Sequence, residues 1–283
     1  MSDSLRKSIE YNNTACVHIQ NGKFVQAADV LDIALRFLKS HLLSCQSSLH
    51  EMEEPGVMQE EHSCGDSLKY VEDLMMESPS SSREEQQRQI ETVEHQYQVD
   101  LCMATTKEIL KSVPVAKVSP GQLSINDVPS FDIYNKAFLL SPGDLDISSD
   151  EDYRTFENVE NWISVVLMYN TALVHYNIGA AANMCVCDLH RSLKFFQIAD
   201  EMLDMMARPF DFDILLLTSA TANNMGHICI CLHYTDRAKI HYKFLEGVLQ
   251  VLQWMPQLDE EDYCLFFMNT GLHVDSLKAS PAA

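Results

Sequence analysis

The stretch that decides the fold runs from Tyr11 to Leu35, YNNTACVHIQNGKFVQAADVLDIAL. Its apolar and small residues recur at helical spacing on both sides of Gly22, which predicts two helices joined by a short turn. A small residue such as Ala15 in the first helix lets the second helix cross closely, and Gly22 relieves the turn. We therefore expect an antiparallel helix–turn–helix unit here.

The same spacing recurs further along the chain. From Ala15, small or apolar residues follow at offsets of 7, 2, 3, 4 and 3 positions, and the same offsets start at Gly226. A copy with an eight-residue insertion starts at Ala172, and a truncated copy starts at Gly271. In all four copies an asparagine lies two residues before the small residue: Asn13, Asn170, Asn224 and Asn269. Because one helix pair buries its apolar stripe only against the next, we expect the units to stack.

At these residues the sequence resembles the tetratricopeptide repeat family. Ala15, Gly22, Phe24, Ala27 and Ala34 stand at the family's signature spacings. The resemblance implies an all-α fold of antiparallel helix–turn–helix repeats that form a right-handed α–α solenoid. The units start 157, 54 and 45 residues apart, unlike a regular array of about 34 residues, and a plain helical bundle is the alternative. The overall pattern is also similar to uncharacterised repeat proteins of diatoms.

The pattern divides the chain into helical parts and two interruptions. Helices are predicted at about 4–20, 24–45, 155–178, 186–207, 211–233, 236–254 and 260–274, with Gly179 as one of the breaks between them. The predicted units are a first helix pair (1–48), an acidic disordered insertion (49–82), a polar helix (83–112), an extended strap with an acidic loop (113–154), C-terminal helix pairs with a capping helix (155–275) and a disordered tail (276–283). Within the strap we expect a short strand at 131–140.

The net charge limits the partners. Of the 283 residues, 41 are acidic and 20 basic, and residues 51–100 and 141–160 together supply −17 of the −21. Such a chain repels phosphate backbones and anionic lipids, so we predict neither a nucleic-acid partner nor a membrane partner. Two uncharged stretches, 162–187 and 214–235, are interrupted by Asn and His and are interpreted as core helices.

The chain start and the cysteines indicate the compartment. Residues 1–13 lack the apolar segment of a secretory signal and the Arg-rich composition of a transit peptide. Nine cysteines form an odd set without a recurring spacing, which favours reduced thiols. We expect a cytoplasmic protein, with the nucleus as the alternative.

The resemblance implies that a protein or peptide partner binds in a concave groove lined by the first helix of each pair. Projecting the repeat onto this chain gives nine groove residues: Asn12, Cys16, Ile19, Tyr169, Leu173, Tyr176, Asn223, His227 and Ile230. Because no Lys or Arg occurs in 156–190 or 212–236, we predict no clamp for the carboxylate of a chaperone tail. The asparagines have a second interpretation, in which each bonds a neighbouring backbone group and touches no partner.

Chemical signatures are scarce. The sequence has no Gly-rich phosphate loop, no nucleophile elbow and no His-Glu-x-x-His motif, so we predict no enzyme, no catalytic residue and no cofactor. One alternative is a metal- or thiol-dependent protein that uses Cys185, Cys187 and His190 of the second unit with the Cys and His residues at 227–233 of the third. Another is a catalytic helical domain whose site matches no known motif. Two cysteines spaced Cys-x-Cys on a helix point roughly 200° apart, which makes each pair a poor chelate. We therefore predict no metal.

Four serines are candidate phosphorylation sites. Ser81, Ser82, Ser148 and Ser149 each have an acidic residue three positions downstream, in the two acidic windows. Ser148 and Ser149 have an alternative role as helix caps.

Overall fold

The computed structural model describes residues 1–51, 110–116, 133–141, 156–206, 211–255 and 257–278. The predicted acidic insertion beyond residue 51 and the predicted polar helix up to residue 109 lie outside the described residues. The four candidate phosphorylation sites also lie outside them, as do residues 142–154 and the tail after residue 278.

The described residues are mostly helical, which confirms the all-α character of the chain. Most helix ends fall within three residues of the predicted ones, although the second helix continues to Glu51, into the predicted insertion. The helices are α1 (Asp3–Gln20), α2 (Phe24–Glu51), α3 (Phe156–Ala181), α4 (Val186–Met206), α5 (Phe212–Cys231), α6 (Thr235–Leu252) and α7 (Glu260–Lys278).

The turns after α1 and α5 have the same backbone conformation and the same hydrogen bond. Gly22, after α1, and His233, after α5, both adopt a left-handed backbone, with φ of 69° and 61°. In each turn an amide reaches five residues back: Lys23 N–H donates to the His18 carbonyl at 2.9 Å, and Tyr234 N–H donates to the Cys229 carbonyl at 2.7 Å. This bond closes the end of a helix by satisfying a carbonyl that the helix leaves free. The first and third sequence units therefore end their first helices in the same way.

The prediction that Gly179 breaks the chain between two helices is wrong. Helix α3 continues to Ala181, and the turn that follows places Asn183 and Met184 at positive φ. Gly179 instead allows a close helix approach, since a Cβ atom there would lie 3.0 Å from the Cβ of Asp188 at the start of α4. A small side chain was required for packing, and the sequence pattern did not distinguish that need from a turn.

Two short strands form a hairpin. Strand β1 (Leu110–Pro114) pairs with β2 (Lys136–Leu140) in an antiparallel register that sets Leu110 opposite Leu140. The polar helix was predicted to reach residue 112, and this is wrong for residues 110–112. Leu110 and Val113 are buried, and Pro114 has no N–H with which to continue a helix, so pairing with β2 decides the structure.

The hairpin lies within the helical packing. Each helix packs on the next one along the chain, and β2 packs against both α1 and α3. Its aromatic side chains join the core, with ring centroids 5.0 Å apart for Phe138 and Tyr169 and 4.9 Å apart for Tyr134 and Phe266. The rings of Tyr134 and Phe138 are therefore part of the core of the described residues.

One described helix, α5, is long and apolar enough to cross a membrane by length and composition alone. Of its most apolar window, 78% is buried inside the protein. Core helices have the same features, so this is weak evidence for a membrane span.

Candidate functional site

The site is the face of α1, α3 and α5 that holds residues 133–141, which we call the inner segment. One edge of this segment pairs with β1, and the pairing continues in the bond from Val115 N–H to the Asn135 carbonyl at 3.0 Å. Successive backbone groups of a strand point to opposite edges. The N–H and C=O groups of Tyr134, Phe138 and Leu140 therefore point away from β1, towards the helices.

Three asparagine side chains complete this second edge. The Asn170 amide accepts from Phe138 N–H at 3.0 Å and donates to the Phe138 carbonyl at 2.8 Å. Asn224 does the same with Tyr134, at 2.7 and 3.1 Å. Asn13 does the same with Leu140, at 3.0 and 2.8 Å. Each of the three helices thus contributes one amide that pairs with the main chain as a neighbouring strand would.

The centre of the site is buried and fully hydrogen-bonded around Phe138. Asn12 donates to the Phe138 carbonyl at 3.1 Å and accepts from Asn170 at 2.9 Å, and the Cys16 thiol lies 3.4 Å from the same carbonyl. Asn12 and Asn170 have no exposed surface. A buried polar group left without a partner costs about 1–3 kcal/mol, so these paired amides fix the position of the segment.

A second set of polar side chains holds the end of the inner segment at Tyr134. The Tyr134 hydroxyl donates to Asp262 of α7 at 2.9 Å, and the same carboxylate pairs with Lys136 at 2.5 Å. Burial, with a contribution from the negative charge of Asp262, raises the pKa of the Tyr134 phenol, which therefore stays protonated and can donate. Tyr169, whose phenol pKa burial also raises, donates to the Tyr134 carbonyl at 3.3 Å.

Some of the predicted groove residues contact the inner segment, and the others lie on the same helices near it. Asn12, Cys16 and Tyr169 meet around Phe138, and Ile19 accepts a bond from Ala116 N–H through its carbonyl. Asn223 accepts a bond from Asn269 at 2.6 Å. Six of the nine are buried (Asn12, Cys16, Ile19, Tyr169, Leu173 and Asn223), and Tyr176, His227 and Ile230 are partly buried. The face that was predicted to hold a partner holds the inner segment.

Beyond the inner segment the same face carries a smaller polar group. The Tyr176 hydroxyl lies 2.9 Å from His227 Nε2, and the Cys231 sulfur lies 3.5 Å from the same nitrogen. Burial raises the pKa of the Cys229 and Cys231 thiols to about 11, so neither is a thiolate at neutral pH. Within the described parts of the chain, the Cys and His residues of the second and third units form no three-ligand cluster.

The prediction of groove residues missed the three asparagines that contact the inner segment most fully. Asn13, Asn170 and Asn224 had been noted as a recurring Asn-x-small pattern, but the projection placed the neighbouring position of each unit on the groove. The recurrence was the available signal. Its meaning required the inner segment, because the sequence does not show that an extended strand 90 to 127 residues away along the chain supplies the partners of Asn224 and Asn13.

The comparisons with known proteins found no similarity. No family model matches the chain, and no curated protein or solved structure resembles it at a significant level.

Proposed function

We propose that the chain is a non-catalytic scaffold that binds an extended segment of a protein partner on the face now covered by residues 133–141. In this proposal the helices form a tetratricopeptide-like right-handed solenoid, and the first helices line its concave groove. The observation that carries the proposal is the set of three two-bond contacts from Asn13, Asn170 and Asn224 to one extended main chain.

Main-chain recognition suits a site for extended peptides. An amide that pairs with a backbone N–H and C=O accepts almost any residue at that position, so affinity comes from the main chain and selectivity from side-chain pockets. Here the pockets hold the rings of Tyr134 and Phe138, four residues apart. The expected ligand is therefore an extended segment with two large apolar residues at this spacing.

The covalent connections allow the inner segment to be replaced. Residues 52–109 separate α2 from β1, and residues 142–155 separate the inner segment from α3, so its release breaks no helix pair. Under this proposal the inner segment is an internal ligand that a partner must displace. The lack of Lys and Arg in 156–190 and 212–236 supports a ligand held through its backbone rather than through a terminal carboxylate.

The alternative function, metal or thiol chemistry at the second and third units, has less support. Burial raises the pKa of the Cys229 and Cys231 thiols to about 11, which disfavours thiolate chemistry at neutral pH. The ligands needed for a metal do not converge there among the described residues. A scaffold requires neither reactive thiols nor a metal.

A labelled peptide with the sequence of residues 131–141, FDIYNKAFLLS, tests the proposal. We expect weak binding to the unchanged protein, and at least about tenfold tighter binding to a Phe138→Ala variant, because its internal ligand fits the pocket less well. Adding Asn170→Ala to that variant should abolish binding. A peptide with alanine at the positions of Tyr134 and Phe138 is the negative control, and Trp254→Ala, at a side chain 72% exposed, is the matched control for the protein. The proposal is contradicted if the peptide binds neither the unchanged protein nor the Phe138→Ala variant.

Hydrogen exchange of the native protein provides a second test. If the inner segment leaves as a unit, the amides of Tyr134, Phe138 and Leu140 should exchange faster than the core amides of α3, through a local opening. Exchange of both sets at the rate of global unfolding would show that the segment is a permanent part of the core.

A further inference from the structure

A second polar cluster lies away from the inner segment, where α2 meets α3. His41 and Cys45 stand four residues apart on α2, and Glu160 belongs to the first turns of α3. His41 Nε2 lies 2.6 Å from Glu160 Oε1 and 3.5 Å from the Cys45 sulfur. Among the residues that the structure describes, these three form the only group of His, Cys, Asp or Glu whose ligand atoms all lie within 4.8 Å of one another.

These distances suit a tetrahedral zinc ion. With Zn–S near 2.3 Å and Zn–N near 2.05 Å, two tetrahedral ligands lie about 3.6 Å apart, close to the 3.5 Å between Cys45 Sγ and His41 Nε2. The Glu160 oxygen must move about 0.7 Å farther from the imidazole to reach its place in the tetrahedron. The Glu160 side chain is 21% exposed and can make this movement by rotation.

The ligand chemistry favours zinc over the hard cations. A thiolate and an imidazole bind zinc well, whereas magnesium and calcium prefer oxygen ligands throughout. A hydrogen bond at the other ring nitrogen also orients the imidazole, since Ser2 Oγ lies 3.1 Å from His41 Nδ1. A hydroxyl that accepts from Nδ1–H leaves the Nε2 lone pair for the metal, as in many zinc sites.

We propose that His41, Cys45 and Glu160 bind one zinc ion, with the fourth position open to water or to a ligand from another molecule. The ion joins α2 to α3, two helices separated by residues 52–155 in the sequence, and the Ser2 contact ties the start of α1 to the same point. On binding, the Cys45 thiol loses its proton to solvent, and the imidazole binds through Nε2 in its neutral form with its one proton on Nδ1, so zinc affinity falls as the pH is lowered. This proposal does not depend on the function proposed above.

Zinc binding by the full-length, reduced and metal-stripped protein tests the proposal. We expect one tightly bound zinc per chain, measured by competition with a chromophoric chelator, and a higher unfolding midpoint when zinc is present. Cobalt(II) should give the thiolate-to-metal charge-transfer band of a cysteine-ligated ion. Cys45→Ser and His41→Ala should lose this zinc and this band, and Glu160→Gln should weaken the binding. Ser2→Gly, which retains a tolerated helix cap, should bind zinc about 10- to 100-fold more weakly.

The matched control is Cys264→Ser, because Cys264 is an exposed thiol on α7. It should keep both the zinc and the cobalt band. Circular dichroism and the unfolding midpoint of each metal-free variant verify that the variant folds, and Glu160→Gln provides a test on a different helix if the α2 variants unfold. The proposal is overturned if the unchanged protein binds no zinc, or if Cys45→Ser and His41→Ala, when folded, bind zinc and cobalt as it does.

Discussion

The side-chain amide of Asn170 pairs with both main-chain groups of Phe138, as a neighbouring β-strand would. We expect Asn170→Ala to lower the free energy of unfolding by about 2–4 kcal/mol, because the Phe138 N–H then loses its partner in a buried site and Asn12 loses a donor. Asn170→Asp should cost at least as much, since a carboxylate cannot donate to the Phe138 carbonyl. Urea unfolding measures both losses.

The matched variant for this prediction is Asn13→Ala. Asn13 makes the same two bonds to Leu140, but it is only half-buried, so water can replace the lost amide. We expect a loss of about 1 kcal/mol. Equal losses for Asn13→Ala and Asn170→Ala would contradict the argument that burial makes the Asn170 contact costly to remove.

The helices could be predicted from the sequence, whereas the inner segment's place among them could not. The spacing around Ala15 and Gly226 depends on local helix contacts, and α1, α2, α5 and α6 lie close to their predicted positions. The strand at 136–140 has β-type composition, but nothing local shows that it lies against α1, α3 and α5. Its partners come from three distant helices, and contacts of such long separation leave no regular spacing in one sequence.

The two turns with left-handed backbones offer a second prediction. His233 has φ of 61° at the position that Gly22 occupies in the first unit. A residue with a Cβ atom pays about 1 kcal/mol for this conformation, and glycine does not. We therefore expect His233→Gly to raise the free energy of unfolding by up to about 1 kcal/mol, and Gly22→Ala to lower it by about 1 kcal/mol. Urea unfolding of both variants tests this, and destabilisation by His233→Gly would count against it.

Gly226 sets the distance between α5 and α6. A Cβ atom at this position would lie 2.8 Å from a ring carbon of Tyr242, whose side chain is itself buried. We expect Gly226→Ala to cost about 1–3 kcal/mol, because the buried ring would have to shift to make room for the added methyl group. Thermal or urea unfolding gives the value.

Gly247→Ala is the control for Gly226→Ala. Gly247 lies within α6, and a Cβ atom there would meet nothing within 4 Å. Alanine should therefore stabilise the helix by up to about 1 kcal/mol through its higher propensity. Opposite signs for the two substitutions would identify close packing, rather than helix propensity, as the reason for glycine at position 226. Two stabilising effects would show that α5 and α6 are not in close contact at this point.

His175 makes the stability depend on pH. Burial lowers the pKa of this imidazole from 6.5 to about 4, and the positive charge of Arg191 contributes to the shift. The negative charge of Asp188 opposes it in part. The unfolded chain then binds a proton more readily than the folded chain, so stability is fully present above pH 6.5 and falls as the pH drops towards 4. Because the ring is not wholly removed from water, the slope should stay below the limit of about 1.4 kcal/mol per pH unit.

The variant His175→Gln tests this dependence. It removes the titrating ring and its stacking on Phe195, so its stability at pH 7 should be lower than that of the unchanged protein. The informative quantity is the difference in unfolding free energy between pH 7 and pH 5, which should be smaller in His175→Gln than in the unchanged protein. His190→Gln, at an exposed histidine on α4, should leave that difference nearly intact. If both variants lower the difference equally, the acid sensitivity arises from general charge repulsion and not from the buried imidazole.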